Sequence, residues 1–361
     1  MVEKGRISAF QLAVIMHSTV LATAVLLLPA ITAKYAQQDL WMSPLWAAPG
    51  GALAIWLAVK LNRMYPKESI VEYSESILGK FAGKIIGLVY VFFLFYANGL
   101  IVREYAEFLV GSFLPRTPMI VVTGSMVLVA AYAVYHGIET IARTALVIVP
   151  GVFLLHVFGA LLILNDLNLE ELTPMFEKGV FPSLLGAISP ITYLGQFIYI
   201  TFMLPFVRDQ GSSLKWGMWS LASVLFIMLL STFTTMMLFG DLTSRLIYPV
   251  MISSRYISIA DFLEHVESLT MAIWVGKTFI KITAFYYFLV VGTAQWLKLS
   301  DYRPIVLPMG IIVVLSGVWI APNLQLLMHY MGTSVVFSAL VVHFVIPAFL
   351  LIAAKIRKGF A

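Results

Sequence analysis

Apolar runs long enough to cross a membrane follow one another along the chain, separated by short polar stretches. They cover approximately Ser8–Ala33, Ser43–Leu61, Gly83–Val110, Pro118–Tyr135, Arg143–Leu164, Ser183–Val207, Leu214–Phe239, Ser268–Leu297, Pro304–Ala321 and Gly332–Ala354. A bilayer core takes roughly 20 helical residues to span. Lipid offers no partner to exposed backbone N–H and C=O groups, so a spanning segment must satisfy them internally, as a helix does. The pattern predicts an all-α polytopic membrane protein with about ten transmembrane helices, forming a single integral membrane domain over residues 1–361. The first run is too long for the apolar part of a signal peptide. Its Pro29 is followed by Ala33-Lys34-Tyr35 rather than a small-residue cleavage site, so it reads as a retained span.

Ten spans divide into two groups of five, about 8–164 and 183–354, compatible with the inverted repeats of many transporters. Each group opens with a span carrying a helix breaker: Pro29 in the first, Pro190 with Gly195 in the sixth. Proline lacks a backbone donor and crowds the preceding turn. In lipid such a break is tolerated where protein or a polar cavity satisfies the freed groups. Two connecting stretches exceed what connection needs. Asn165–Pro182 is acidic, and Gly240–Glu267 alternates apolar and polar residues around Ile257–Glu264, predicting a short amphipathic helix over an outer vestibule.

Composition closes off other classes. The chain is 61% hydrophobic and 11% charged, against about half and a quarter in soluble domains, so no soluble enzyme is tenable. With no cysteine, disulfides, thiolate chemistry and cysteine-held metals are excluded. The net charge of +5 is scattered over short loops, not gathered into a stripe for nucleic acid. Basic residues favour the cytoplasmic loops of membrane proteins. With the N-terminus inside, fifteen Lys and Arg lie on that side and five outside (Lys34, Arg116, Lys178, Arg245 and Arg255), which predicts both termini cytoplasmic. No phosphate-binding loop, no H-E-x-x-H and no clustered acid pair within one span appears, so neither catalytic residue, metal nor cofactor is expected.

The chemistry lies in polar residues at membrane depth. An ionisable group there costs roughly 2.5–3.5 kcal/mol on insertion scales and suggests function by default. Lys277 and Lys281 sit one turn apart in the eighth span. Lys281 is too deep to reach water and must face the bundle interior, either as a fastening cation or in an ion or ligand site. Lys277 lies nearer the outer surface, where snorkelling explains it. Arg103 and Glu107 have the spacing of an intrahelical pair, and Glu104 lies between them. His17, His156 and His343 read as hydrogen-bonded packing residues. Neutral polar and small residues cluster at mid-depth: Thr19, Ala22 and Thr23 in the first span, Tyr96 and Asn98 in the third, Thr192, Tyr193 and Gln196 in the sixth, Thr283 and Tyr287 in the eighth. Each alone suits helix packing. With the helix breaks they suit a cavity for a small zwitterion.

Several stretches in sequence order resemble the spore germination B-subunit family. They are Lys4-Gly5-Arg6-Ile7-Ser8-Ala9-Phe10-Gln11, Gln38-Asp39-Leu40-Trp41, Ile77–Lys80 with Gly83–Gly87, Arg103-Glu104, Leu114–Pro118, Gly137–Arg143, and Glu267, Trp274 and Phe279–Lys281. The resemblance implies the amino acid–polyamine–organocation transporter superfamily and a LeuT-like five-plus-five inverted repeat with broken helices 1 and 6. It implies a nutrient germinant receptor subunit in the inner membrane of an endospore, working with A-type and C-type subunits and binding a nutrient, commonly an amino acid. The substrate-holding helices of that superfamily are the first, third, sixth and eighth, where the polar cluster falls. One departure is that Ala22 and Ala24 stand where glycines are common. A cation often joins the first and eighth helices in such folds, and the ammonium of Lys281 is expected to substitute for it.

Three functions fit: a receptor whose ligand shifts a conformational population, a proton- or sodium-coupled amino-acid transporter, and a structural subunit that binds nothing. The resemblance favours the receptor, and a sugar would suit the pocket almost as well as an amino acid.

Overall fold

The computed structural model describes residues 3–256 and 266–359, and within them the chain is helical, without strands. In chain order the α-helices are α1 (Ala9–Ala36), α2 (Met42–Met64), α3 (Ile70–Leu78), α4 (Lys80–Ser112), α5 (Met119–His136), α6 (Ile138–Leu162), α7 (Phe181–Gly186), α8 (Ile188–Gly195), α9 (Ser213–Phe239), α10 (Pro249–Ser253), α11 (Val266–Trp296), α12 (Arg303–Trp319), α13 (Leu324–Gly332), α14 (Ser334–Leu340) and α15 (Ile346–Gly359). Among the described residues, nine helical segments are long and apolar enough to cross a membrane. The expected ninth span is the shorter α12, at 17 residues. That is about 25 Å of helix, the lower limit for the hydrocarbon core. The sequence pattern missed α3, a nine-residue helix between the second and third spans, capped by Ser69 and Glu72. The amphipathic helix expected over Ile257–Glu264 lies outside the described residues.

Burial sorts the helices into a centre and a periphery. The most apolar window of the first span is 94% buried and that of the eighth 83%, whereas only 17% of that of α6 is enclosed. A helix apolar on all sides belongs in a core or in lipid, and here α1 and α11 take the core while α6 faces outward. Helix α1 packs on α6, α9 and α11, so it is the axis about which the others are arranged.

The interruption expected in the first span does not occur as a gap. Helix α1 runs unbroken for 28 residues with Pro29 inside it. Alanine is the best helix former and glycine among the worst, and Ala22 and Ala24 stand at the place in question. Pro29 removes the donor that would serve the Val25 carbonyl, while one turn below, the Ala22 carbonyl accepts a bond from Trp274 Nε1 at 2.7 Å. The sixth span is interrupted. It begins as α7 and α8 and then tightens into 3₁₀ turns over Gln196–Phe202 and Leu204–Phe206. Gly195 stands at this change of geometry. A Cβ there would come within 2.7 Å of His343 Nδ1 and 3.0 Å of the His343 Cβ, so a larger residue would push the tenth span away. On the facing segment, α14 and α15 are joined by a π-helical turn over Val341–Val345 that carries His343. Such turns often mark functional sites.

At the opposite end of the bundle the N-terminal segment is tied down. Ile7 N–H donates to the Phe206 carbonyl and Arg208 N–H to the Ile7 carbonyl, at 3.1 and 2.9 Å. The buried carboxylate of Glu3 accepts from the backbone N–H groups of Lys4, Gly5 and Ile138 at 2.7, 2.7 and 3.1 Å. It also accepts from the Tyr302 and Tyr287 hydroxyls at 3.1 and 3.4 Å. Burial, and the Glu3 charge beside it, push the Tyr302 phenol above its ordinary range, so it stays a donor. Gly137 turns with φ +91° where a Cβ would lie 2.9 Å from Glu3 Oε2, a backbone conformation and a space that glycine alone tolerates.

Candidate functional site

Lys281 is 1% exposed and lies on the core-facing side of α11. Side chains on a helix lean toward its N-terminus, so the ammonium rises from its own turn toward the level of Thr23. It donates to Thr23 Oγ1 on α1 at 2.8 Å and to Gln196 Oε1, at the start of the 3₁₀ turns, at 3.1 Å. The rings of Phe285 and Tyr193 stand 5.5 and 5.9 Å from the nitrogen, distances at which aromatic faces attract a cation. An ammonium has three donors, and two are used by protein acceptors. The third is available to whatever shares the space.

That space is a cavity of about 60 Å³ between α1, α4, α8 with its 3₁₀ extension, α11 and the tenth span. A water needs about 10–15 Å³ of such space, so the cavity suits a few waters or one small molecule. Its apolar wall includes Phe93, Leu100, Ile101 and Phe285. Its polar wall is underbonded. Glu104 Oε1, the Tyr193 hydroxyl and His343 Nδ1 are buried without a hydrogen-bond partner. Buried polar atoms are nearly always paired, and each one left alone costs about 1–3 kcal/mol. Three such atoms around one cavity, beside a cation with a spare donor, make a place prepared for a polar guest.

Of the residues singled out from sequence, Thr23, Thr192, Tyr193, Gln196 and Lys281 line this cavity. The others are placed elsewhere. Thr19 turns its hydroxyl back on the Ile15 carbonyl at 2.7 Å, and Ala22 contributes only the carbonyl held by Trp274. Asn98 fastens α4 to α11 by donating to the Leu94 and Phe285 carbonyls at 2.8 and 3.0 Å. Tyr96 packs against the cluster of Leu100, Ala321 and Leu327, and Thr283 is buried in α11 away from the cavity. Tyr287 belongs to the Glu3 cluster. The physical reason for these two α11 residues is angular. At about 100° per residue, positions 283 and 287 point roughly 200° and 240° away from 281.

Lys277 corrects a second expectation. It does not snorkel but is 4% exposed, with its ammonium 3.5 Å from His156 Nδ1. Arg103 and Glu107 pair at 2.7 Å as their spacing predicts, and Arg103 also holds the Val318 carbonyl. This pairing leaves Glu104 free. Sequence reasoning passed over Glu104 because it stood between two charges that neutralise one another. The signal was present in the stripe Phe93, Ala97, Leu100, Ile101 and Glu104, whose three- and four-residue steps put all five on one face of α4, and all five line the cavity. His343 was likewise set aside as a packing residue. Its Nε2 does pair with the Tyr199 hydroxyl at 3.0 Å, and its Nδ1 is unpartnered at the cavity wall.

Comparison with known proteins follows the same lines. The family model Spore_permease, described as spore germination protein, matches residues 6–324. Spore germination protein KB of Bacillus subtilis (strain 168) is 26% identical over 365 residues, covering 99% of this chain and 96% of that protein. Spore germination protein YndE of the same strain is 25% identical over 360 residues, covering 98% of each. Among solved structures, MhsT in complex with L-phenylalanine superposes with a TM-score of 0.66 at 12% identity, over 97% of this chain and 99% of that one. A Na+-coupled sialic acid symporter in a substrate-bound outward-open state gives 0.64 at 14%, over 94% and 80%. The fold is therefore that of LeuT-like transporters, and the protein is a multi-pass membrane protein.

Proposed function

The chain belongs to the spore germination protein family, and from that premise we propose that it is the nutrient-binding membrane subunit of a spore germination receptor. The observation that carries this reading is the cavity around Lys281, with its unpartnered Glu104, Tyr193 and His343 atoms. A small α-amino acid matches it group for group. Its carboxylate would take the third N–H of Lys281 and its ammonium the free oxygen of Glu104, while an apolar side chain meets Phe93 and Phe285. Charge-assisted hydrogen bonds of this kind are the strong ones. Glu104 and Lys281 line the same cavity, so the two charged groups of the ligand would each meet a group of opposite charge.

Lys281 would also do the work of a cation between the first and eighth helices, since its ammonium bridges Thr23 of α1 and Gln196 from its place on α11. Binding there shifts the population of conformers, and partner subunits of A and C type would read the shift. The distribution of Lys and Arg supports cytoplasmic termini, and the family supports the inner membrane of the endospore. A second reading, coupled amino-acid transport, is favoured by one observation: the fold is shared with MhsT, solved in complex with L-phenylalanine.

Lys281→Met is expected to abolish the nutrient response while leaving the protein in the membrane. A normal response in that variant would discard the assignment. Binding itself is read by melting temperature, because a ligand at 100 times its Kd stabilises the folded state by about 2.7 kcal/mol. Nutrient-dependent uptake into vesicles holding only this chain would decide for transport.

A further inference from the structure

A second group of ionisable side chains, with Lys277 and His17 buried and His156 half-buried, lies outside the cavity, between α1, α6, α9 and α11. Lys277, on α11, stands 3.5 Å from His156 Nδ1 on α6. His156 Nε2 lies 3.0 Å from Ser231 Oγ on α9, and Ser231 donates its own proton to the Ile227 carbonyl at 2.8 Å. A hydroxyl has one proton to give. The Ser231 oxygen therefore accepts from His156, the Nε2 of His156 carries hydrogen, and in the neutral ring the lone pair of Nδ1 is turned toward Lys277. The same reasoning fixes His17. Its Nδ1 is 2.7 Å from Ser223 Oγ, which donates to the Ser220 carbonyl at 2.8 Å, so Nδ1 carries hydrogen.

Among the described residues the surroundings hold no counter-charge. From α1 the group faces His17 and Ser18, the latter donating to the Lys277 carbonyl at 3.2 Å. From α6 it faces His156, and from α9 Ser223 and Ser231. Lys281, on α11 itself, is a further cation. Helix α4 brings Glu104, whose field falls on Lys281. Helices α3, α5 and α12 carry their acids, histidine and arginine near the far, C-terminal end of α11, around Gln295 and Tyr302. Arg255, on the outer segment beside α11, is exposed to water. Among the described residues no carboxylate pairs with Lys277. Three bases, two buried and one half-buried, thus lie together without an acid, and a second positive charge within a few ångströms of the first is unfavourable.

We propose that Lys277 and His156 form a proton-binding site, separate from the nutrient cavity, that holds one exchangeable proton between Nζ and Nδ1. The proton sits either on the amine, donated toward the His156 lone pair, or on the imidazole, with the amine neutral. No bond other than N–H forms or breaks. The site shares α1 and α11 with the cavity, through Ser18 and Lys277 on one side and Thr23 and Lys281 on the other. Rearrangement of these two helices against each other would change both sites, which makes proton occupancy and nutrient binding reciprocal. The inference does not rest on the nutrient reading, because the proton is detectable with no nutrient present.

The test uses the full chain in lipid nanodiscs without nutrient, with melting temperature followed from about pH 5 to 9. The wild type is expected to show a step. Lys277→Met and His156→Gln should each remove it, and the double substitution should remove nothing more. A wild-type profile without a step, or a step surviving either single substitution, overturns the proposal. Should the variants fail to fold, ¹⁵N-histidine spectra of the wild type decide. The Nδ1 signal of His156 is expected to change with pH while its Nε2 keeps its proton, and a signal constant over the range overturns the proposal.

Discussion

Two carboxylates are buried to nearly the same degree, Glu104 with 2% of its surface exposed and Glu3 with 4%, and they are treated in opposite ways. Glu3 accepts five hydrogen bonds, three from backbone N–H groups and two from phenols, and joins the N-terminal segment to α6, α11 and the turn before α12. Glu104 Oε1 finds no partner among the described residues and opens onto a cavity. A buried charge is affordable when its lone pairs are filled and costly when they are empty. The first arrangement is therefore a clasp, stable in itself. The second has kept its bonding capacity in reserve for something the chain does not supply.

The contrast breaks first at Glu3. Glu3→Ala leaves the Ile138 N–H and the Tyr287 phenol without their acceptor inside the protein, each worth about 1–3 kcal/mol, and leaves the Tyr302 hydroxyl with the Val134 carbonyl alone. A loss of about 3–5 kcal/mol in stability is expected, read as a lower melting temperature of the chain in nanodiscs. Glu3→Gln should recover part of it, because the amide oxygen still accepts. An unchanged melting temperature in Glu3→Ala would mean that the clasp holds nothing.

Glu104→Gln should be milder in stability and more severe in function. No hydrogen bond is lost, but Lys281 loses the opposing charge nearest to it, so a cost of up to about 2 kcal/mol is expected. Pairing it with Lys281→Met restores neutrality, and the double variant should be more stable than the sum of the two single effects. Stabilisation by a nutrient amino acid should vanish in all three. Retained stabilisation in Glu104→Gln would remove Glu104 from the site.

What could be read from sequence follows from what lipid enforces. The spans were legible because continuous apolar runs have no other solvent, and Lys281 because a charge at that depth has few explanations. Glu104 was hidden by its neighbours. Arg103 and Glu107 satisfy the expectation of a local pair, and the steps of four from Leu100 and three from Ile101 are what place Glu104 on the cavity face. The unbroken α1 was legible in principle, since alanines at 22 and 24 favour helix where glycine would not. The third acid, Glu3, could not have been placed by any local pattern, because its partners Ile138, Tyr287 and Tyr302 lie more than a hundred residues away.

Tyr287 sharpens the comparison at its finest scale, because by chain position it stands close to Lys281 while its hydroxyl belongs to the clasp. Tyr287→Phe removes one long hydrogen bond to a carboxylate that keeps four others, so about 1 kcal/mol or less should be lost. The aromatic contacts with Phe288 and Tyr302 remain available to the phenylalanine ring. Nutrient stabilisation should persist at wild-type strength, because position 287 points roughly 240° around α11 from the ammonium that faces the cavity. The decisive measurement is the ratio of the two effects. A small drop in melting temperature with an intact ligand response keeps the hydroxyl in the clasp, whereas an intact melting temperature with a lost response would return Tyr287 to the ligand.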